Sequence, residues 1–504
     1  MGALFSVAEI RQAEQAAAAQ LAPGTLMQRA GHAAARIAIE LLGEAPARPV
    51  LVLAGPGNNG GDALEVAANL AQAGVEVTIV HLAGPSAPSA ETAHALAKAR
   101  ASTAEFVDAM ANDGHWSLLV DGLFGIGLAR PVEGVARAMI EAVNAMDCPV
   151  LALDVPSGLD ADSGGVIGPD GVAVRATDTV TFIGDKPGLH TFAGRDYAGQ
   201  VLVARLGIEG DMLPAASVHL NEPHLFDLAF VPRQHDSHKG SFGDVAIIGG
   251  AHGMAGAPIL AARAALFSGA GRVYVVSIDH GPAYDNVQPE LMFRDAANHN
   301  FAGSTIVAGP GMGDSATAIR VLVQALDGDS PLVLDADAIN MIAASHDLQS
   351  RLSARHAPSI LTPHPLEAAR LLGVTAGVIQ GDRLEAAREI AARFDAYVVL
   401  KGSGTVIAMA DGEAVINPTG NPGLASAGTG DVLAGLCGSL LAQGWPARDA
   451  ALAAVWMHGE AADRLVLDGA GPIGLTAGEL PAAIRTVLNR MVAERPKRGG
   501  RPQS

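Results

Sequence analysis

The sequence predicts an α/β protein of two domains, each built around a parallel β-sheet. With 504 residues, the chain is longer than one ordinary hydrophobic core can organise. Its 49% hydrophobic content and 60 glycines suit strands that are buried on both faces and joined by glycine-rich turns. Glycine-rich loops, whose backbone N–H groups can approach an anion, occur at residues 55–62 and again at residues 417–431. This duplication predicts one active site in each domain.

The net charge and the cysteine content restrict which binding partners and which cellular compartment we expect for the protein. The formal net charge of −19 repels phosphate backbones and anionic lipid, so we expect neither nucleic acid nor a membrane as partner. Cys148 and Cys437 fall in different domains without metal-site spacing, which predicts a reducing, cytoplasmic compartment. The sequence has no long apolar run and no signal-like start, so we expect a protein that is neither exported nor membrane-spanning.

Apolar periodicity and turn residues predict the elements of the first domain. In chain order they are helices 7–21 and 26–42, strand 49–54, helix 63–73, and strands 75–80, 118–121 and 150–154. The last two strands end at Asp121 and Asp154. Ligands of open parallel sheets bind beyond the carboxyl ends of the strands, so both aspartates should converge on the glycine loop. Each could instead cap a helix or close a turn, but three strand-end features together favour a functional site.

The first glycine loop has the spacing of a dinucleotide-binding turn. Gly55, Gly57 and Gly60 satisfy the GxGxxG pattern between a strand and a helix, which predicts a Rossmann-like domain. The following strand ends without an Asp or Glu for the ribose hydroxyls, and the loop itself carries asparagines and an aspartate. An ordinary dinucleotide oxidoreductase is therefore not favoured.

Three ordered motifs of the first domain resemble the NAD(P)H-hydrate epimerase family. They are NNGGD at 58–62, DGLFGIGL at 121–128 and DVPSGLD at 154–160, and the resemblance spans about residues 7–210. Two positions depart from the family pattern: Ala63 replaces a usual glycine, and Gln28 replaces a more usual glutamate. Both departures leave the expected cation ligands intact.

The resemblance implies roles for individual residues of this domain. Asp154 is expected to be catalytic and to act on the hydrated carbon. A potassium ion is expected on Asn59, Asp121 and Ser157, and oxygen-only ligation suits such a hard cation. The residues expected to bind the hydrated dinucleotide are Asn58, Asn59, Gly60, Gly61, Asp62, Gly125, Ile126, Gly127, Leu128, Ala129, Arg130 and Pro131.

A second strand and helix series follows an irregular segment at 206–239. The predicted strands are 244–250, 273–278, 304–308, 332–335, 359–361 and 397–400, and the predicted helices are 256–268, 430–441 and 450–465. The predicted domains are 1–222 and 223–495, with a basic tail at 496–504.

Motifs of the second domain resemble the ADP- or ATP-dependent NAD(P)H-hydrate dehydratases, which have a ribokinase-like fold. The resemblance covers about residues 235–490, and its motifs lie at 239–243, 252–257, 309–313, 362–367, 401–405 and 417–435. It implies that Ala257, Gly311, His364 and Asp431 contact the hydrate. It also implies that the adenine nucleotide is bound by Lys401, Gly402, Ser403, Gly404, Thr405 and Gly430.

The chemistry of the reaction agrees with this resemblance. Hydroxide leaves poorly, whereas a phosphorylated hydroxyl leaves readily when an adjacent ring nitrogen pushes electrons into the C–O bond. Asp431, at a Gly-Thr-Gly turn before a helix, would be the catalytic base that activates the hydroxyl. Magnesium is expected on the nucleotide phosphates. Taken singly, His364 could order a turn, Lys401 could be a surface charge, and Asp431 could be a helix cap.

The predicted function is repair of hydrated nicotinamide coenzymes. The first domain would epimerise R and S NAD(P)H hydrates, and the second would dehydrate the S epimer with ADP or ATP. One alternative is a ribokinase-like small-molecule kinase with a regulatory first domain, and it predicts a stable phosphorylated product. Another is a first domain that serves only as a sensor or interaction module. We also expect a homo-oligomer.

Overall fold

The computed structural model describes residues 2–43, 48–84, 87–110 and 115–494. The chain divides into two compact units, Met1–His219 and Leu220–Ser504. The predicted basic tail at 496–504 lies outside the described residues. Within the described ranges, no helix is long and apolar enough to cross a membrane.

The first unit alternates strands and helices. In chain order the elements are β1 (Ala3–Leu4), α1 (Val7–Ala18), α2 (Thr25–Leu42), β2 (Val50–Ala54), α3 (Asn58–Gln72), β3 (Val77–His81), α4 (Ala90–Ala101), β4 (Glu105–Val107), β5 (Leu118–Gly122), α5 (Gly134–Asn144), β6 (Val150–Leu153), β7 (Asp178–Phe182), α6 (Gly194–Tyr197), β8 (Gln200–Ala204) and β9 (Val218–Leu220).

The described strands β2 to β8 form one parallel sheet in the order β4-β3-β2-β5-β6-β7-β8. Every residue of β2, β5 and β6 is buried, as their mainly apolar sequences predict for strands covered on both faces. The short strand β1 pairs with β9 in the antiparallel direction, with Ala3 opposite His219. The prediction of a parallel-sheet α/β domain is confirmed.

The start of α3 differs from the prediction. Residues 58–62 were expected in a loop before a helix at 63–73, but the helix begins at Asn58 and ends at Gln72. Two glycines in a first turn weaken a helix, which explains the misplaced start. Close packing requires them, because a Cβ on Gly60 would lie 1.8 Å from the Gly55 carbonyl oxygen and one on Gly61 would lie 2.5 Å from Met27 Cε.

The second unit follows the same alternation. Its elements are β10 (Asp244–Gly249), α7 (Gly256–Phe267), β11 (Arg272–Ser277), β12 (Met292–Asp295), β13 (Ser304–Ala308), α8 (Ala316–Asp327), β14 (Leu332–Leu334), α9 (Ala336–Ala344), α10 (His346–Ser353), β15 (Ser359–Leu361), α11 (Pro365–Leu372), α12 (Ala376–Gly381), α13 (Arg383–Phe394), β16 (Tyr397–Leu400), β17 (Val406–Ala408), β18 (Ala414–Ile416), α14 (Thr429–Ala442), α15 (Ala447–Leu467) and α16 (Leu480–Glu494).

The sheet of this unit runs in the order β12-β11-β10-β13-β14-β15-β16-β17-β18. In this order, all strands from β12 through β10 to β16 run parallel to one another. Strands β17 and β18 continue the sheet in the antiparallel direction. One large core, which contains Val307, Val399 and Leu436, joins this sheet to α7, α14 and α15. The carboxyl ends of the parallel strands therefore all lie at one edge of the sheet.

The segment predicted as an irregular linker is only partly irregular. It contains β9 and short 3-10 turns, among them Pro223–Leu225 and Asp227–Ala229. Phe226 and Phe230 in this segment are buried in the core of the second unit. The absence of periodicity was a weak guide because two isolated aromatic anchors produce no repeating pattern.

Candidate active sites

A cavity of about 470 Å³ lies in the first unit where β2, β5 and β6 end. Residues from five segments line it: Ile10, Arg11 and Glu14 of α1; Pro56, Gly57, Asn58, Asn59 and Asp62; Leu123 to Arg130; Asp154; and Phe182. This is the edge at which ligands of parallel sheets bind. The structure therefore brings the glycine loop and the residues after β5 and β6 together.

Most of the expected dinucleotide-binding residues line this cavity, but three do not. Gly60 and Gly61 lie behind the wall, where they allow α3 to approach Gly55 and Met27. Pro131 is exposed and does not belong to the lining. The two glycines thus support the shape of the cavity rather than forming its surface.

Asp154 is held in an unusual backbone conformation at the cavity wall. Its φ of 67° is left-handed, which is strained for a residue with a Cβ. Its Oδ2 accepts a hydrogen bond from the Ile126 N–H at 3.1 Å, and its Oδ1 accepts one from Lys186 Nζ at 2.7 Å. Both oxygens of this carboxylate are therefore fixed in direction.

Lys186 is a functional candidate that the sequence analysis missed. Its side chain is 0% exposed, and Nζ also donates to Thr181 Oγ1 at 2.7 Å and to the Phe182 carbonyl oxygen at 2.9 Å. A lysine side chain is rarely fully buried unless its ammonium is paired with an opposite charge. Here the opposite charge is the Asp154 carboxylate. The only signal in the sequence was a lysine soon after a strand, which is not specific.

Two further carboxyl groups, Asp62 and Glu14, line the same cavity. Burial, followed by the charge of Asp154, raises the pKa of Asp62 well above its usual value. The same two causes raise the pKa of Glu14. The cavity therefore combines a carboxylate that is paired with a lysine and two carboxyl groups whose pKa values are raised, which is the arrangement expected for a site that moves protons.

Two of the three expected potassium ligands, Asp121 and Ser157, are hydrogen-bonded to each other, and the third, Asn59, lines the cavity. Ser157 Oγ is 2.7 Å from Asp121 Oδ1, and the Ser157 N–H donates to Asp121 Oδ2 at 2.9 Å. Asp121 is fully buried, and burial raises its pKa to about 6. Asn59 donates through Nδ2 to the Leu153 carbonyl oxygen, while its buried Oδ1 has no hydrogen-bond partner. A buried amide oxygen without a hydrogen-bond partner and a buried carboxylate are both oxygen ligands of the kind that a hard cation takes.

Gly125 connects the proposed catalytic and cation groups. A Cβ at this position would lie 2.9 Å from Asp154 Oδ2 and 3.3 Å from Asn59 Cβ. Glycine is therefore required for the close approach of three chain segments.

The two departures from the family pattern have separate consequences. Ala63 is fully buried, and it is accommodated because Gly122, whose Cβ would lie 2.4 Å from that of Ala63, is a glycine. Gln28 lines another cavity, of about 220 Å³, together with Glu65 and Glu91. Neither residue lines the cavity that contains Asp154.

In the second unit, polar residues gather where the parallel strands end. Asp335, Thr362 and Lys401 directly follow β14, β15 and β16. Lys401 Nζ donates to Asp335 Oδ1 at 2.7 Å, and Thr362 Oγ1 donates to the same oxygen at 2.8 Å. Asp335 was missed as a site residue, although an acid directly after a strand was the signal used for Asp121 and Asp154.

Lys401 is not the surface charge of the alternative interpretation. Burial disfavours its charge, but Asp335 and then Glu367 outweigh burial and raise its pKa. A Cβ on Gly430 would lie 3.3 Å from Lys401 Nζ, so the ammonium faces the first turn of α14. The lysine and the Gly-Thr-Gly turn are thus one site.

Asp431 lies in the first turn of α14, which follows Gly428 at a φ of 90°. The helix has no side-chain cap hydrogen bond, so Asp431 is not its cap. Burial, and then the nearby charge of Asp335, raise the pKa of Asp431 to about 6, while Lys401 opposes the rise. A carboxylate with this pKa is suited to accept a proton near neutral pH.

His364 caps α11. Its Nδ1 accepts the N–H groups of Leu366 and Glu367, and its own N–H donates to Glu367 Oε2 at 2.7 Å. Burial and the charge of Lys401 lower the pKa of His364. The capping role is therefore real, and the other ring nitrogen, Nε2, lies 3.2 Å from Glu367 Oε1 on a half-exposed side chain.

Two other expected hydrate contacts, Ala257 and Gly311, lie side by side. A Cβ on Gly311 would lie 3.3 Å from Ala257 Cβ and 2.7 Å from the Met254 carbonyl oxygen. Gly311 has a φ of 56°, and its carbonyl oxygen accepts the Ala251 N–H. This pair lies where β10 and β13 end, on the edge that also carries Asp335.

The expected nucleotide loop, residues 401–405, is braced by a buried arginine that the sequence analysis also missed. Arg383 is 1% exposed, and it donates to the carbonyl oxygens of Leu400 and Lys401 at 3.1 and 3.2 Å. Burial lowers its pKa to about 10. Gly402 has a φ of 139°, and a Cβ there would lie 3.0 Å from the guanidinium.

The described parts of both units contain no group of three or more His, Cys, Asp or Glu that could hold a metal ion.

Known proteins match both halves of the chain. A family model described as YjeF-related protein N-terminus matches residues 23–188, and one described as NAD(P)H-hydrate dehydratase matches residues 245–484. A solved ADP/ATP-dependent NAD(P)H-hydrate dehydratase from Bacillus subtilis aligns with a TM-score of 0.48 and 32% identity, covering 54% of this chain and 98% of that chain.

Relatives extend over the whole length. The bifunctional NAD(P)H-hydrate repair enzyme of Coxiella burnetii is 38% identical, over 97% of this chain and 100% of the relative. The enzyme of Escherichia coli with the same description is 36% identical, over 93% of this chain and 90% of the relative. The family predicted from the sequence motifs is confirmed: the chain belongs to the bifunctional NAD(P)H-hydrate repair enzymes.

Proposed function

We propose that the protein restores hydrated NADH and NADPH through two successive activities. The first domain interconverts the R and S hydrates, and the second dehydrates the S hydrate with ADP or ATP. The observation that carries this proposal is that each domain places a carboxylate near a lysine ammonium where parallel strands end. Asp154 pairs with the buried Lys186, and Asp431 lies near the partly buried Lys401. Family membership supports the same pair of activities.

In the first domain, epimerisation requires the C–O bond of the hydrate to break and form again on the other face of the ring. The ring nitrogen supplies the electron pair that expels the hydroxyl group, which leaves as water once it is protonated. Asp62 lines the cavity with a raised pKa and can donate that proton. Asp154, paired with Lys186, can take a proton from the water that adds back.

The proposed potassium site would support this cavity from below. Asn59 Oδ1, Asp121 and Ser157 would hold the ion. When bound, potassium supplies positive charge that offsets the burial of the Asp121 carboxylate. Through Asn59, the same ion would order the start of α3 that lines the cavity.

In the second domain, the hydroxyl oxygen of the S hydrate attacks the terminal phosphorus of the nucleotide, and Asp431 takes the hydroxyl proton. The bond from that phosphorus to the bridging oxygen breaks, so that ADP leaves from ATP, or AMP from ADP. Phosphate then leaves with the C–O bonding electrons while the ring nitrogen donates its own pair. Loss of a proton from the neighbouring carbon restores the ring double bond. We propose that residues 401–405 and Gly430 hold the nucleotide, that Ala257, Gly311 and His364 contact the hydrate, and that magnesium accompanies the phosphates.

Three wider assignments belong to the same proposal. We infer domains at 1–222 and 223–495 and a cytoplasmic location, where reduced coenzyme and the free thiols Cys148 and Cys437 would persist. We infer a homo-oligomer, supported by the exposed side chains of Leu228 (63%) and Val231 (68%) beside a groove of about 900 Å³ in the second unit.

The test follows recovery of reduced-nicotinamide absorbance from purified mixed hydrates, with and without nucleotide. We compare the wild type with Asp154→Ala and Asp431→Ala. Asp431→Ala should abolish recovery of both epimers. Asp154→Ala should leave fast recovery of the S form and slow the R form to its spontaneous rate. Equal recovery of the R form in wild type and Asp154→Ala would refute the epimerase, and a stable phosphorylated product would favour a kinase.

A further inference from the structure

We propose that Asp335 is a positioning residue of the dehydratase site: it fixes the Lys401 ammonium against the first turn of α14 and so controls the charge around Asp431. This inference rests on the proposed function of the second domain. It adds a residue that neither the motif analysis nor the comparisons assign.

The geometry of Asp335 excludes a simple capping role. Asp335 precedes α9, but no side-chain cap hydrogen bond is made to that helix. Its carboxylate is instead 2% exposed and accepts Lys401 Nζ at 2.7 Å and Thr362 Oγ1 at 2.8 Å. A buried carboxylate is tolerated when it is paired and hydrogen-bonded, and here both partners come from neighbouring strand ends.

Lys401 connects Asp335 with the first turn of α14. Its main chain is fixed by a hydrogen bond from its N–H to the Pro363 carbonyl oxygen at 2.9 Å. Its ammonium lies 2.7 Å from Asp335 and 4.0 Å from Glu367, and it is close enough to Gly430 that an added Cβ would approach it to 3.3 Å. The strongest contact of the ammonium is thus with Asp335, and this fixes its position beside α14.

The charges around Asp431 then follow. Among the neighbouring charges, Asp335 and Asp337 raise the pKa of Asp431, and Lys401 lowers it. His458 of α15 contacts the Thr429 carbonyl oxygen, and burial lowers its pKa to about 4, so it adds no charge near neutral pH. Because the Lys401 ammonium is paired with Asp335, it stabilises the Asp431 carboxylate less than an unpaired ammonium would. The pKa of Asp431 therefore stays raised, and Asp431 can act as a base.

The test is the pH dependence of kcat for dehydration of the S hydrate by the full-length enzyme with ATP and magnesium. Asp335→Asn removes a negative neighbour of Asp431 and releases Lys401 toward it. Both changes favour the ionised carboxylate, so the acidic limb of the profile should move to lower pH while kcat falls at least tenfold. The exposed Asp468→Asn is the matched control and should leave the profile unchanged.

A second variant keeps the test decisive if Asp335→Asn folds poorly. Lys401→Met removes the cation, so the acidic limb should move to higher pH, opposite to Asp335→Asn. An acidic limb that stays in place in either folded variant overturns the positioning role, because loss of packing alone would lower kcat without moving the limb. Failure of the wild type to restore absorbance at any pH would instead refute the proposed dehydratase.

Discussion

Lys186 Nζ lies 2.7 Å from Asp154 Oδ1 and has no exposed surface, so a buried ammonium holds the carboxylate that faces the cavity of the first domain. The partners come from different segments: Asp154 directly follows β6, and Lys186 follows β7. This ion pair connects the stability of the domain with its chemistry.

Replacing Lys186 with methionine should destabilise the first domain. Breaking a buried pair leaves an uncompensated charge, which costs about 3–5 kcal/mol. Chemical denaturation of the full chain should show this loss in the transition of the first domain. The double variant Lys186→Met/Asp154→Asn removes both charges and should recover much of the free energy of unfolding. A double variant no more stable than Lys186→Met would contradict the pairing.

Adding a methyl group at Gly125 should damage epimerisation specifically. The Cβ of Gly125→Ala would lie 2.9 Å from Asp154 Oδ2, so the carboxylate must shift. Misplacement of a catalytic group should slow R-hydrate recovery by about tenfold or more. Gly165→Ala, whose Cβ would have its nearest neighbour at 3.5 Å, is the matched control in the same domain. Dehydration of the S hydrate should be normal in both, and equal epimerisation rates would contradict the prediction.

The proposed potassium site should be detectable as a shift in the thermal unfolding midpoint. When potassium replaces choline at constant ionic strength, the unfolding midpoint of the first domain should rise, because potassium would bind the folded state. Asn59→Leu removes the unpartnered Oδ1 and should abolish the response. Asn58→Leu, at the exposed neighbouring position, should retain it. Identical responses of the two variants would argue against ligation by Asn59.

Dehydration should fail at acidic pH. Asp431 must be ionised to act as a base, and burial raises its pKa to about 6. Activity should therefore be retained above that pH and fall as pH drops through it, to about one tenth at one pH unit below the pKa. The measurement is kcat for the S hydrate at saturating nucleotide from pH 5 to 8. A flat profile over this range would exclude Asp431 as the titrating base.

The sequence was sufficient to predict the site residues that directly follow buried parallel strands. Apolar runs such as 150–154 locate buried parallel strands, and an acid directly after such a run falls at the ligand-binding edge. Asp121 and Asp154 were found in this way. Asp335 gives the same signal after β14, so it could have been found from the sequence as well.

Other features depend on packing that no local pattern records. Lys186 and Arg383 appear in the sequence as ordinary basic residues, and only the fold buries them against carbonyl oxygens from other segments. The start of α3 was misplaced because glycine disfavours helices, whereas the close approach of Gly60 to Gly55 requires it. Such long-range contacts override local propensity.

The cap formed by His364 also decides which ligands the imidazole can recognise. Backbone N–H groups of Leu366 and Glu367 both donate to Nδ1, so in the neutral ring the proton resides on Nε2. Nε2 lies 3.2 Å from Glu367 Oε1, so its N–H already has a carboxylate beside it. A substrate atom that contacts Nε2 of the neutral ring must therefore be a hydrogen-bond acceptor, and it competes with Glu367 for the same N–H.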